Sequence, residues 1–346
     1  RTERLLEKGW KFTREDSELF SQTDYDDSAW QTVRIPHDWA IYGPFSINND
    51  KQNVAITQDG QQEAMEHAGR TGGLPFVGPG WYRLEFEAPE YTVGKSCRLI
   101  FDGAMSNADV YINGKHAAFW PYGYNSFIVD ATPYMKPGET NHLAVRLENY
   151  NESSRWYPGA GLYRNVHLVI TKDAYIPDWG TYVYTKKLAD GYAWVETNVE
   201  FAFPENKEFA DYRIVIEFHD PDGAVVLKDS KSGTPYDGSV FRMESLVENP
   251  QLWTPDTPYL YTLVSKVYEG ETLIDEVETV FGIRTIELRP DEGFFLNGKK
   301  TIFKGVCNHH DLGPLGAAVN KAALRRQLTI LKDMGCDAIR TSHNMP

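Results

Sequence analysis

Cysteines, basic charge and long apolar runs are all scarce in this 346-residue chain. The 3 cysteines, Cys97, Cys307 and Cys336, lack the spacing of a zinc site, and their odd count excludes a fully paired disulfide framework. Lys and Arg number 35 against 49 Asp and Glu, and the net charge of −14 argues against nucleic acid or an anionic membrane as a partner. No apolar run is long enough to cross a bilayer, so membrane insertion is not expected.

The ends and the cysteines give further expectations. The chain has no initiator Met and no signal peptide, which favours a mature or trimmed chain. We favour an extracytoplasmic compartment over the cytoplasm, although the cysteines do not decide it. Cys307 and Cys336 are predicted to be small buried side chains on neighbouring strands rather than a disulfide.

The composition is that of a soluble globular protein, with 41% hydrophobic and 24% charged residues. The length predicts two or three domains, because one hydrophobic core rarely serves so long a chain. Aromatic residues make up 13% of the chain. Most of them are expected in β-sandwich cores, while some can stack on sugar rings.

The last fifty residues predict a strand–helix–strand unit. Asn297-Gly298 is a tight-turn signal between predicted strands Phe294–Leu296 and Thr301–Val306. A helix is predicted from the N-cap Asn320 to the C-cap glycine Gly335, and Cys336–Arg340 follows as a second strand. Two strands connected by a helix form a parallel pair, which predicts the start of a larger parallel sheet.

Polar residues follow both of these predicted strands. The first group is Asn308, His309, His310 and Asp311, and the second is Arg340, Ser342, His343 and Asn344. In (β/α) barrels the carboxyl ends of the strands carry the active site. The alternative is that these side chains only satisfy loop backbones, and the pattern alone leaves both interpretations open.

Residues 1–173 read as many short strands with turn signals between them. Trp81–Glu87 alternates apolar and polar side chains, and Ala108–Ile112 leads into the hairpin dipeptide Asn113-Gly114. This spacing predicts an antiparallel sandwich or jelly roll. In a later loop, Arg155 lies beside the aromatic residues Trp156 and Tyr157, and together they suit a sugar's hydroxyls and ring face. The alternative is that Trp156 anchors its own loop and Arg155 pairs locally.

Residues 174–288 contain another set of β-like runs, among them Ile214–Phe218 and Tyr261–Ser265. Their length and spacing suit an immunoglobulin-like sandwich. The segment contains no pattern typical of a catalytic site, and we interpret it as a spacer that orients its neighbours.

Several motifs, in chain order, resemble family 2 glycoside hydrolases, with the β-galactosidase branch as the nearest match. They are Gly80–Arg83, Asp109–Gly114, Arg155–Arg164, Leu252–Pro255, Tyr259–Tyr261, Phe281–Arg284, Leu296–Lys299, Lys304–Val306 and Ile339–His343. The resemblance implies a mainly β, multidomain chain. Its domains would be a jelly-roll β-sandwich (1–173), an immunoglobulin-like β-sandwich (174–288) and the first βαβ part of a truncated (β/α)8 barrel (289–346).

The same resemblance implies a retaining exo-β-glycosidase that acts on terminal β-galactosides by double displacement. The two catalytic glutamates would lie beyond Pro346, so the chain alone is expected to be inactive. The expected partner is a β-linked oligosaccharide or glycoside. No cofactor or metal site is expected, and homo-oligomerisation is left open.

Supporting roles in substrate binding also follow from the resemblance. Arg340 would orient the nucleophile, and His343 would contact the sugar. His309 and Asp311 would line the pocket, Asn344 stands where relatives often have an aromatic residue, and Arg155 and Trp156 would reach the barrel mouth from the first domain.

Alternatives remain for the substrate and for the class of protein. Arg155 would repel a cation and could pair with a uronic acid carboxylate. The chain could thus belong to a β-glucuronidase, β-galacturonidase or β-mannosidase of the same family. It could also act as a non-catalytic carbohydrate-binding module.

Overall fold

The computed structural model describes residues 1–67, 76–90, 95–154, 156–207, 210–234 and 238–344. The chain divides into two compact units. One comprises Thr2–Ile170 with Val306–Met334 and Ile339–Pro346, and the other comprises Arg1, Thr171–Gly305 and Gly335–Ala338. None of the helices in these described ranges is long and apolar enough to pass through a membrane.

The N-terminal segment is a jelly-roll β-sandwich. Its strands are β1 (Thr2–Leu5), β2 (Trp10–Thr13), β3 (Gln31–Val33), β4 (Gln52–Val54), β5 (Met65–His67), β6 (Gly78–Glu87), β7 (Lys95–Phe101), β8 (Ala108–Ile112), β9 (Lys115–Trp120), β10 (Phe127–Asp130), β11 (Thr140–Asn149) and β12 (Val166–Lys172). One sheet has the order β1-β12-β7-β10, the other β3-β2-β6-β11-β8-β9, and β4 pairs with β5.

The two larger sheets share one hydrophobic core. Leu99 and Leu168 come from the four-stranded sheet, and Val110 and Val145 come from the six-stranded sheet. Along β8, buried residues alternate with half-buried ones, as expected for a strand with one face on the core. The predicted hairpin at Asn113-Gly114 joins β8 to β9, and both turn residues have positive φ.

The middle segment is an immunoglobulin-like β-sandwich. Its strands are β13 (Thr181–Ala189), β14 (Tyr192–Glu200), β15 (Tyr212–His219), β16 (Val225–Gly233), β17 (Val240–Glu248), β18 (Tyr261–Glu269) and β19 (Thr272–Phe281). The sheets have the orders β13-β14-β17 and β16-β15-β18-β19. Val195 and Phe241 from the first sheet pack with Ile216 and Leu263 from the second in one core.

Glu217 on β15 lies between two lysines of the neighbouring strands in this sandwich. Lys228 and Lys266 each donate to one of its carboxylate oxygens, at 2.7 Å in both cases. These hydrogen bonds lower the pKa of Glu217 to about 2. Because the folded-state pKa lies below the usual 4.5, the stabilisation is present above pH 4.5 and is lost as the pH falls towards 2.

We expect Glu217→Gln to lower the free energy of unfolding at pH 7 by about 2 kcal/mol, after allowing for solvent screening of the lysines. The loss should shrink at pH 3, where the wild-type carboxylate also gains a proton when the chain unfolds. Urea unfolding at the two pH values measures this. Glu248→Gln, an exposed position at the end of β17, is the control. An equal loss at both pH values would rule out the linkage.

The C-terminal segment contains β20 (Ile286–Arg289), β21 (Gly293–Leu296), β22 (Lys299–Lys300), β23 (Gly305–Asn308), the helix α1 (Lys321–Asp333) and β24 (Ala338–Thr341). A small antiparallel sheet has the order β20-β21-β22, and β23 pairs with β24. Backbone bonds join Ala338 to Lys304 and Ser342 to Asn308, with the same separation along the chain, so β23 and β24 run parallel. This is the predicted βαβ start of a (β/α) barrel.

The predicted helix limits are confirmed. The Asn320 side chain accepts from the Ala323 amide at 2.9 Å, and Gly335 has a φ of 88° beyond the helix end. The predicted strand Thr301–Val306 is wrong, because Lys299–Lys300 closes the Asn297-Gly298 hairpin and the chain then crosses to another sheet at Gly305. The second strand starts at Ala338, two residues later than predicted.

The prediction that Cys307 and Cys336 are buried is also wrong. Both are free thiols; Cys307 is exposed on β23 and Cys336 is half-buried just before β24. The prediction assumed that both faces of the parallel sheet are covered. In the part of the chain that the structure describes, this sheet has two strands, and Cys307 lies on a face that they leave open.

Candidate functional site

Trp156 lies in the loop between β11 and β12 and is held by Tyr124. Its indole Nε1 donates to the Tyr124 hydroxyl at 3.0 Å, and the Tyr124 ring is buried. The half-buried indole also faces His343, with ring centroids 5.0 Å apart, and His309, at 5.8 Å. Trp156 is therefore both an anchor of its loop and a surface presented to the two histidines.

His309 follows β23, His343 follows β24, and their rings meet edge to face with centroids 5.3 Å apart. The two strands run side by side, so residues just past their carboxyl ends come together. We call Trp156, His309 and His343 the aromatic wall. Its members come from three separate loops, and aromatic faces of this kind suit the C–H face of a sugar ring.

Arg340 lies at the end of β24 beside the aromatic wall. Its Nη1 donates to the Ser342 hydroxyl at 3.2 Å, and its Nη2 lies 3.5 Å from Nδ1 of His343. The guanidinium also contacts the Cys307 thiol at 3.6 Å and lowers the pKa of that thiol. The side chain remains exposed, so the planar fork is oriented on one side and open to a carboxylate on the other.

His310 ties the segment after β23 to the Trp156 loop. Its Nε2 lies 3.1 Å from the Pro158 carbonyl oxygen, and its Nδ1 is buried with no hydrogen-bond partner among the described residues. Burial lowers the pKa of His310. These features identify a neutral ring that donates from Nε2 to the backbone.

Asp38 is buried beneath the same loops and accepts four hydrogen bonds. The donors are the Ala40 amide (2.9 Å), the Ala160 amide (3.0 Å), the Ala317 amide (2.8 Å) and the Tyr157 hydroxyl (2.6 Å). Burial raises the pKa of Asp38 above its usual range, and the four hydrogen bonds offset only part of that rise. Four converging donors match an ionised carboxylate, which only accepts.

Two glycines pack directly against the Asp38 carboxylate. Gly159 and Gly316 have φ angles of +70° and +60°, a region that favours glycine. A Cβ on Gly159 would lie 2.3 Å from the Ala317 Cβ, and one on Gly316 would lie 2.3 Å from Asp38 Oδ2. The backbone of these two glycines thus encloses the carboxylate. A larger residue at either position would displace Asp38 or Ala317.

The remaining predicted site residues lie at different distances from this cluster. Asp311 is half-buried. Burial and the charge of Asp38 raise the pKa of Tyr157, and the charge of Asp311 adds a smaller contribution in the same direction. Asn344 is half-buried just after His343. Arg155 lies outside the described residues. Among those residues, no group of three or more His, Cys, Asp or Glu side chains is arranged to hold a metal ion.

A cavity of about 260 Å³ adjoins the aromatic wall. Its polar lining includes Asn308, His309 and Ser342, and Leu324 and Ile339 supply part of its apolar lining. His309 therefore belongs to the aromatic wall and also lines this cavity. Residues that follow β23 and β24 thus provide polar groups in a concave region, which is typical of a ligand site.

Sequence reasoning missed Asp38 and Tyr124 as contributors. A signal for Asp38 was present, because an acidic residue stands in the otherwise apolar and aromatic stretch around Trp39. Acidic residues are rarely fully buried unless several donors satisfy them. Tyr124 gives no comparable signal, since its contact with Trp156 depends on folding.

Three family descriptions match consecutive parts of the chain. Residues 4–172 match the sugar binding domain of glycosyl hydrolases family 2, residues 174–284 match glycosyl hydrolases family 2, and residues 286–345 match the TIM barrel domain of that family. The matches follow the same order as the two sandwiches and the βαβ unit.

Individual relatives match nearly the whole chain. The chain is 42% identical over 340 residues to beta-galactosidase BoGH2A of Bacteroides ovatus. The aligned region covers 97% of this chain and 38% of that protein. It is 34% identical over 345 residues to a putative beta-glucuronidase of Formosa agariphila, covering 99% of this chain and 31% of that protein. The chain thus spans less than two fifths of the length of either relative.

A solved structure agrees with these matches. The crystal structure of a beta-glycosidase from Bacteroides vulgatus superposes with a TM-score of 0.86 at 32% identity, covering 99% of this chain and 42% of that one. Fold, domain order and sequence lead to the same assignment. The chain belongs to glycosyl hydrolase family 2, of which it carries the sugar-binding domain, the immunoglobulin-like domain and the start of the TIM barrel.

Proposed function

We propose that this chain is the N-terminal portion of a retaining exo-β-glycosidase that hydrolyses terminal β-galactosides. The observation that carries the choice of sugar is the 42% identity to a beta-galactosidase along almost the entire chain. The identity to the putative beta-glucuronidase is lower, at 34%. The aromatic wall supports a sugar substrate, because it offers ring faces to the apolar side of a pyranose.

The residues of the site would divide the work in the following way. The aromatic wall would bind the sugar in the cleavage position, and Arg340 would hold the nucleophilic carboxylate of a later strand in the orientation for attack. That carboxylate would form the glycosyl-enzyme intermediate, and a second glutamate would protonate the leaving oxygen. Asp311 and Asn344 would complete the rim of the pocket.

A substrate panel on the full-length protein tests the proposal. Aryl β-galactoside, β-glucuronide, β-galacturonide and β-mannoside are compared by kcat/KM, and NMR follows the anomer first released. We expect the galactoside to lead by roughly 100-fold or more, because polar groups built for one hydroxyl pattern are left unpaired by another. We expect the product to retain the β configuration. Absence of turnover on every glycoside would refute the proposal.

A β-glucuronidase is the second candidate, because the putative beta-glucuronidase relative matches 99% of the chain. A uronic acid carboxylate would need a cation near the sugar. Arg155 is the candidate cation in the Trp156 loop, so Arg155→Ala separates the two cases. Selective loss of activity on uronides would favour the second candidate, while equal effects on galactoside and glucuronide would favour the first.

The chain of residues 1–346 alone should not hydrolyse aryl glycosides. Its βαβ unit supplies the strand ends that bind and orient, whereas we propose that both catalytic glutamates lie on later strands. An assay at high enzyme concentration with an aryl β-galactoside measures this. Turnover that co-purifies with the chain through two chromatographic steps would show that its own residues carry the chemistry.

A further inference from the structure

We propose that Asp38 is a positioning residue that fixes the loop bearing Trp156 against the segment bearing His309, and thereby holds the aromatic wall in its sugar-binding geometry. The link to sugar binding rests on the proposed glycosidase function. The link between Asp38 and the two loops rests on geometry alone.

The hydrogen bonds of Asp38 connect parts of the chain that are far apart in sequence. Tyr157 and Ala160 lie in the loop that carries Trp156, and Ala317 lies in the segment between β23 and α1 that carries His309. One carboxylate thus binds two of the three loops that contribute to the aromatic wall, those that carry Trp156 and His309. A shift of Asp38 would move Trp156 and His309 relative to each other.

The chemistry of Asp38 favours this role over a purely stabilising one. Asp38 is 1% exposed, and its hydrogen-bond partners among the described residues are three amides and one hydroxyl, all of them uncharged. Burying a charge without an opposite charge is costly, and apolar replacements of buried charges often stabilise a fold. A carboxylate instead fixes the relative positions of its partners, because it accepts hydrogen bonds from four donors at once.

The surroundings allow little adjustment. Gly159 and Gly316 close on the carboxylate so tightly that a Cβ on either would come within 2.9 Å of Oδ2. A further hydrogen bond, from His310 to the Pro158 carbonyl, joins the same two loops close to Trp156 in the chain. The hydrogen bonds of Asp38 and the His310–Pro158 bond therefore hold the two loops rigidly, and we call this set of contacts the clamp.

The test uses three variants of the full-length protein. Asp38→Asn keeps the size of the side chain but turns one acceptor into an NH₂ donor, which cannot satisfy both the Ala317 amide and the Ala160 amide. Tyr157→Phe removes one donor of the four. Asp16→Asn is the matched control, since Asp16 accepts from Trp81 and Arg146 in the same sandwich, away from the wall.

Two readouts are needed. Hydrogen exchange of the peptides covering residues 156–161 and 308–318 reports on the clamp without requiring activity. The separate values of kcat and KM on an aryl galactoside report on the wall. A merely structural role would lower the melting temperature of Asp38→Asn and Asp16→Asn alike and leave kcat/KM of the folded enzyme unchanged.

We expect Asp38→Asn to speed exchange in both peptides by roughly tenfold or more and to lower kcat/KM by roughly 10- to 100-fold, mainly through KM, because small displacements of positioning groups have effects of this size. Asp16→Asn should change neither. Tyr157→Phe should have a smaller effect, and adding it to Asp38→Asn should cost less than the sum of the single changes, since both act through one contact.

Unchanged exchange in both peptides of Asp38→Asn would overturn the proposal, whatever the substrate proves to be. Faster exchange with unchanged kcat and KM would also overturn it, because the clamp would then not act on the wall. If the wild-type protein turns over no glycoside, the proposed function fails, and the exchange data still decide whether Asp38 clamps the two loops.

Discussion

Replacing Arg340 by alanine in the full-length protein should lower kcat on an aryl β-galactoside by roughly 100- to 1,000-fold, the range found when one preorganised donor is removed from an active site. The guanidinium is already oriented by Ser342 and His343 and remains open on its other side. A nucleophile that is no longer held by this fork attacks from a wider range of positions. Initial rates over a range of substrate concentrations separate kcat from KM.

Two further variants show whether the fork itself matters. Arg340→Lys keeps the charge but replaces the planar fork with a single ammonium group, so we expect it to recover little of the lost kcat. Arg326→Ala, on an exposed position of α1, should leave kcat unchanged. Full activity of Arg340→Lys would mean that only the charge is used, and full activity of Arg340→Ala would remove Arg340 from the site.

The second large effect is expected at Trp156. Trp156→Ala removes the largest of the three rings of the aromatic wall and leaves the Tyr124 hydroxyl without its indole partner. We expect kcat/KM to fall by roughly 10- to 100-fold, which corresponds to a loss of about 1.4 to 2.7 kcal/mol of aromatic contact with the sugar. Most of the change should appear in KM. Steady-state kinetics and calorimetry with galactose measure it.

Trp156→Phe and Trp179→Ala serve as comparisons for this variant. Phenylalanine keeps a ring face but cannot donate to Tyr124, so its KM should lie between those of wild type and alanine. Trp179 is 66% exposed, and its removal should leave both kinetic constants unchanged. Equal KM values for wild type and Trp156→Ala would show that the indole only anchors its loop.

Turns and helix ends were predicted correctly from the sequence, because the conformation of a few adjacent residues determines them. The Asn297-Gly298 turn, the Asn320 N-cap and the Gly335 helix end all require particular side chains or positive φ, and all three are confirmed. The strand Thr301–Val306 was mispredicted because an apolar run does not reveal which of two sheets it joins. Burial of Cys307 was mispredicted because it depends on which neighbouring strands cover the sheet.

The candidate site was predictable only in part, for a related reason. His309, His343 and Arg340 could be placed together, since they lie at or just after the carboxyl ends of neighbouring parallel strands. Trp156 could be suspected from its loop composition, but its distance to the histidines is set by tertiary contacts. Asp38 lies 119 residues before Tyr157 and 279 before Ala317, and pairing over such separations leaves no periodic pattern in the sequence.

The most direct test of the account is a crystal structure of the full-length protein trapped with a galactose-configured, mechanism-based covalent inhibitor. We predict that the sugar ring lies within van der Waals contact of Trp156 and His343, that Arg340 donates to the modified carboxylate, and that Asp38 keeps its four hydrogen bonds. A sugar bound at a site that none of Trp156, His309 and His343 touches would contradict the account.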